Sequence, residues 1–203
     1  MTPPGTFERV YAAIRKRLRE GAYRPGERLE PAALSDELNA SVTPVRDALH
    51  RLTGERMVES PRHEGFRAPM MTETSLRHLY AWHLDLLLLA LMNHRAGASM
   101  ELLPEMEAGP GASGQERENA LFLAFARSAG NPEHVAAFEG LTHRLEPIQR
   151  FERAFLDGTE AETAGILHAF EAHDRKAIRL ALIRYHRRRQ KIVPDLLATM
   201  LES

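Results

Sequence analysis

The sequence predicts a mainly α-helical chain in two parts, three helices with a small hairpin in residues 1–70 and an all-α bundle in residues 71–203. Three observations predict it. Apolar residues recur at helical spacing along most of the chain, strand patterning is confined to residues 57–69, and aromatic residues are only 6% of the 203. The remaining composition, 43% hydrophobic and 27% charged, is that of a globular chain long enough for one large domain or two small ones.

Composition also excludes function classes. A formal net charge of -1 rules out polybasic binding by the whole chain, so any contact with nucleic acid must come from a local patch. The absence of cysteine removes disulfide frameworks, thiolate nucleophiles and cysteine zinc sites, and is compatible with a reducing cytosol. Met1 to Gly5 contain no apolar run, so no signal peptide is expected. The longest apolar stretch, Leu84 to Met92, is interrupted by Asp85 and falls far short of a membrane span. These points predict a cytoplasmic protein with no membrane partner.

The elements follow in order. Phe7, Val10, Tyr11, Ile14 and Leu18 form one apolar face of an opening helix, with basic residues between them. Gly21 to Arg28 hold two glycines and a proline, which end that helix in a turn-rich connector. A second helix starts at Pro31, since proline fits the first turn, and runs to Leu38 before the turn Asn39-Ala40. A third has Ser41 or Thr43 as N-cap and Pro44 in its first turn. Its buried face is Val45, Ala48, Leu49 and Leu52, and Thr43, Arg46, Asp47 and His50 fall opposite. Met57 to Ser60 and Phe66 to Pro69 then make a hairpin around the polar turn Pro61 to Gly65.

Beyond residue 70 the pattern predicts helices over Glu73 to Arg95, Ser99 to Glu107, Gln115 to Ala129, Pro132 to Leu156, Glu160 to Ala172 and Arg175 to Thr199. A glycine-rich stretch from Ala108 to Gly114 and the stop Gly130-Asn131-Pro132 divide them. The stripe Leu84, Leu87, Leu88 and Leu91 is bundle core or a dimer seam, and Asp85 within it is a buried polar group or a solvated gap.

Three helices and a hairpin, with a short turn between the second and third helices, is the winged helix-turn-helix plan. A helix entering the major groove must anchor one face in its own domain and offer hydrogen-bonding groups on the other. The third helix meets both demands, and the hairpin brings Arg62, His63 and Arg67 within reach of phosphates or the minor groove. Residues 1–70 carry twelve Arg and Lys against ten acids, a modest excess in the expected direction.

The run Gly21-Ala22-Tyr23-Arg24-Pro25-Gly26-Glu27-Arg28-Leu29, then Ala33 to Leu38, then Ser41-Val42-Thr43-Pro44-Val45-Arg46-Asp47-Ala48-Leu49-His50-Arg51-Leu52 resembles the DNA-binding domain of the GntR family of bacterial transcription regulators. The resemblance implies a recognition helix in the major groove with Ser41, Thr43 and Arg46 at the family's contact positions and a wing near Gly65 on the DNA backbone. The arginine usual before Thr-Pro is Val42 here, and the glycine usual in the turn is Asn39, which tolerates a left-handed conformation.

The helical half resembles the FadR-type, or FCD, effector-binding and dimerisation domain through Leu79-Tyr80, Ser128 to Asn131 and Ala169 to Asp174. In that branch an aspartate and three histidines commonly hold a metal that helps bind a small carboxylate. Carried over by position, those ligands fall on Glu118, Phe122, about Thr163, and Tyr185 or His186. Two of them cannot serve as imidazoles, so a tightly bound metal is expected to be lost and no cofactor is expected. His83 and His186 are the candidate effector-binding residues. Arg184, with Arg188 on the same face, belongs to a solvated charge run or points at an acid ligand or at the DNA-binding domain. The reading is a DNA-binding transcriptional regulator, controlled by a small effector such as an organic acid and acting as a homodimer on an operator. Its rivals are a metal-dependent enzyme using histidines with Glu118 or Asp174 as base, and a regulator whose helical half only dimerises.

Overall fold

The computed structural model describes residues 5–62, 64–94 and 111–202. His63 and the helix expected over Ser99 to Glu107 lie outside the described residues. The chain divides into two compact units, one of Met1–Thr72 with His143–Ile148 and Ala198–Ser203, the other of Glu73–Thr142 with Gln149–Leu197.

In the first unit, α1 (Thr6–Arg19) buries Val10, Tyr11, Ile14 and Leu18, the face its spacing predicts. α2 (Pro31–Glu37) begins on its proline, and Asn39 after it takes φ 46°, the left-handed turn that its short amide side chain tolerates. α3 (Val42–Gly54) has Ser41 as N-cap and buries Val45, Ala48, Leu49 and Leu52. These residues share one core with Leu29, Leu34, Met57, Val58 and Phe66. Two polar ties fix the helices. Arg9 donates to the carbonyls of Leu38 (2.8 Å) and Asn39 (3.1 Å), which caps the turn before α3. Tyr11 donates to Glu55 at 2.7 Å while the Arg51 guanidinium lies 4.2 Å from the Tyr11 ring centre, binding α1 to the end of α3.

The wing departs from the expected hairpin. β1 (Arg28–Leu29) pairs antiparallel with β2 (Phe66–Arg67), so the second hairpin arm pairs with the connector. The first arm contributes one bridge, Glu59 with Arg67, through two 2.9 Å backbone hydrogen bonds. The reason lies in α3. Met57 and Val58 donate back to the Leu52 carbonyl (3.0 and 3.3 Å) and turn into the core, so Glu59 is the first residue left for pairing.

In the helical half, α4 (Glu73–Asn93) is followed by α5 (Gly114–Arg127), α6 (Pro132–Glu152), α7 (Thr159–Glu171), α8 (Arg175–Lys191) and α9 (Val193–Glu202). Side chains start three of them, Ser113 in a capping box with Glu116, Asn131 on α6 and Asp174 on α8. The single helix expected over Arg175 to Thr199 is two, separated at Ile192. Pro194 has no N–H for the carbonyl of Gln190, four residues back, so the ladder breaks there. Arg77 donates to that carbonyl at 2.7 Å instead.

Asp85 is exposed, the solvated gap rather than a buried group. α4 turns Leu76, Tyr80, His83, Leu87 and Leu91 inward.

Candidate DNA-binding face and the buried cluster of the helical half

The opposite sides of α3 differ completely. Val45, Ala48, Leu49 and Leu52 are fully enclosed, while Ser41, Val42, Thr43, Arg46, Asp47 and His50 are exposed. Ser41 makes no side-chain cap bond, and Thr43 and Arg46 have no hydrogen-bond or ionic partner among the described residues. The head of this helix therefore presents two hydroxyls and a guanidinium with their hydrogen-bonding capacity unspent. His50 packs edge-on against Phe66 of β2 at 4.9 Å between ring centres, so it joins α3 to the wing.

Within the wing, Gly65 takes φ 76°, a conformation that favours glycine, and closes the turn. Arg67 pairs with Glu59 at 3.0 Å and Glu64 at 3.4 Å, whereas Arg62 is exposed and has no partner among the described residues. Of the two wing arginines within the description, only Arg62 has its charge uncompensated.

The helical half holds a buried polar cluster. Glu118 of α5, Glu152 of α6 and Glu162 of α7 surround the guanidinium of Arg189 on α8, itself 1% exposed. Arg189 Nε lies 2.8 Å from Glu152, Nη1 donates to Glu162 at 2.9 Å, and Nη2 donates to Glu118 at 3.4 Å. The Tyr185 ring lies 3.2 Å beneath the guanidinium. Tyr185 and Thr163 (3.0 Å) donate to the two oxygens of Glu118, and Tyr80 donates to Glu152 at 2.6 Å. Burial holds both tyrosine hydroxyls well above their ordinary pKa, so they remain donors. Burial also raises the Glu152 carboxyl to about 7, against the opposing pull of Arg189.

His83 and His186, the candidate effector-binding residues, lie against each other, Nδ1 to Nε2 at 2.8 Å, both 1% exposed. Burial pulls His83 well below its ordinary value and His186 to about 3, so both are neutral at pH 7. His186 Nδ1 lies 2.7 Å from the Leu182 carbonyl, which only accepts, so this nitrogen carries the proton. His186 Nε2 must then accept from His83, which leaves the lone pair of His83 Nε2 without a hydrogen-bond partner. Phe122 and Phe138 pack on His83 at 5.4 and 4.8 Å between ring centres.

A cavity of about 210 Å³ opens beside the cluster, lined by Gln115, Gln149, Thr163, Arg117, Arg153 and Arg189 among others. Neither His83, His186 nor Arg184 lines it. Arg184 is exposed, and Arg188 bonds the Asp157 carbonyl at 2.6 Å and Glu162 at 3.1 Å. The inward arginine is Arg189, which stands in the same basic run as Arg184 and Arg188. Its spacing from Ile178, Leu182 and Tyr185, the buried stripe of α8, is the signal that marks it.

The metal of the FCD branch does not fit these residues. Glu118, Phe122, Thr163, Tyr185 and His186 do lie together, but Phe122 has no donor atom and both Glu118 oxygens are engaged by the protein. Among the described residues no group of three or more His, Asp or Glu is arranged to hold a metal ion.

Residues 6–67 match the family described as bacterial regulatory proteins, gntR family. Over 58 residues the chain is 40% identical to the Nta operon transcriptional regulator of Aminobacter aminovorans, a stretch that spans 29% of this chain and 28% of that protein. The fold is similar to that of E. coli McbR/YncC, at a TM-score of 0.65 and 23% identity, over 95% of this chain and 98% of the other. It is also similar to a structure from Rhodococcus sp. RHA1 described as a transcriptional regulator GntR, at a TM-score of 0.71 and 17% identity, over 98% and 99% of the two chains. No helix among the described residues is long and apolar enough to cross a membrane.

Proposed function

We propose, from the match of residues 6–67 to the gntR family of bacterial regulatory proteins, that the chain is a sequence-specific, DNA-binding transcriptional regulator of the cytoplasm. The observation that carries this reading is the head of α3, where Ser41, Thr43 and Arg46 stand exposed on a helix whose other face is the core of the domain. Arg62 and the Gly65 turn of the wing supply the phosphate contacts, and His50 holds the wing against the helix. The helical half is read as an FCD-type domain that binds a small effector and dimerises. Its cavity beside Arg189 is the effector site, where an organic acid would meet Arg117 and Arg153 rather than Arg184.

Dimerisation is supported by α4. Trp82, Leu89 and Met92 are exposed at 49%, 43% and 69%, and their spacing puts them on one side of the helix around Asp85. A second copy covering that stripe pairs two recognition helices on one operator. The enzyme reading finds little support, since Asp174 is spent accepting from the Lys176 and Ala177 backbone N–H groups at the start of α8. The test is selection of bound fragments from genomic DNA, followed by anisotropy titration of the recovered sequence. An inverted repeat bound at least ~10³-fold more tightly than random duplex is expected. Equal affinity for every duplex would overturn the proposal.

A further inference from the structure

We infer that Arg189 is the resident cation of the carboxylate cluster in the helical half, filling by covalent tether the role that a bound divalent ion would otherwise play. Glu118, Glu152 and Glu162 come from three different helices and converge on one point of the interior. Three carboxylates brought together in a low-dielectric interior need a cation between them. The guanidinium suits that place because it is planar and presents several N–H donors in a fixed fork. One edge faces Glu152, another faces Glu162 and the Tyr185 carbonyl (3.3 Å), and a third faces Glu118. Its lower face rests on the Tyr185 ring.

A divalent ion would need the same carboxylate oxygens at about 2.0 to 2.2 Å. Those oxygens already receive Arg189, Tyr80, Tyr185 and Thr163, and a second cation at that point would face the guanidinium at close range. The floor of the neighbouring cavity is therefore closed. A ligand entering it meets hydrogen-bonding side chains such as Gln149 and Thr163, not an open coordination position. The inference stands whether or not α3 binds DNA.

The experiment uses the full chain purified without chelator or metal-affinity resin. Elemental analysis should find zinc, nickel and manganese far below one equivalent, and Tm should be the same with EDTA as with added manganese or zinc. Arg189→Met should lower Tm strongly, because Glu118 and Glu152 lose their cation and Glu162 keeps only Arg188. The combined variant Arg189→Met, Glu118→Gln, Glu152→Gln removes the stranded charges and leaves Glu162 to Arg188, so it should recover most of the lost Tm. If Arg189→Met alone does not fold, recovery of a folded protein in the combined variant carries the same meaning. Three results would overturn the inference. They are near-stoichiometric metal whose removal lowers Tm, an Arg189→Met variant as stable as the parent, and a combined variant that recovers nothing.

Discussion

Arg46 leaves α3 with no partner in its own domain, so its free energy of interaction is available to whatever α3 meets. Arg46→Ala should cost about 1 to 3 kcal/mol per half-site if the guanidinium contacts a base edge, with the loss depending on operator sequence. Anisotropy titrations against the selected operator and single-base variants measure it, and an unchanged affinity on all of them would remove α3 from the interface. The wing arginines should separate in a different observable. Arg62 is unpaired among the described residues, so Arg62→Ala should reduce the slope of log affinity against log salt by about one. Arg67 already has Glu59 and Glu64, so Arg67→Ala should leave that slope nearly unchanged. Equal slopes in the two variants would contradict the assignment.

The helices show which parts of this fold a sequence discloses. α1 and α3 were legible because their apolar spacing is local and unbroken, and the exposed side of α3 followed directly from its buried one. β1 was not, since two residues are too few to show a period and its pairing is settled by Phe66, far along the chain. The end of α8 was missed because Pro194 fits the first turn of a new helix as readily as it breaks an old one. Arg189 was missed for a related reason. Arg187, Arg188 and Arg189 are alike as residues, and the carboxylates that select Arg189 come from α5, α6 and α7. The α8–α9 break offers its own test. Arg77→Ala strips the Gln190 carbonyl of its charged donor and should cost about 1 to 2 kcal/mol in urea unfolding, with no effect on operator affinity at fixed folded concentration. A stability loss below a few tenths of a kcal/mol would mean that water replaces Arg77 there.

At the scale of the molecule, the buried groups give stability a definite pH profile. His83 and His186 have folded values below the unfolded 6.5, so the unfolded chain binds more protons and stability falls as pH drops below about 6.5. Glu152 acts oppositely, because its folded value of about 7 exceeds the unfolded 4.5 and its contribution is lost as pH rises through 7. Two histidines outweigh one carboxyl, so Tm should climb from pH 4.5 to 6.5 and sag slightly towards 7. Glu152→Gln should remove the sag and keep the climb. A Tm that is higher at pH 5 than at pH 6.5 would show that the histidines are not buried neutral. The order of residues around Arg189 also bears on how the chain is made. Glu118, Glu152 and Glu162 leave the ribosome before Arg189 does, so a nascent chain ending ahead of α8 holds three acids and no counterpart. The first unit's core of α1 to α3 carries no such debt to later sequence. Synthesis should thus deliver that core early and defer closure of the bundle until the last helices emerge.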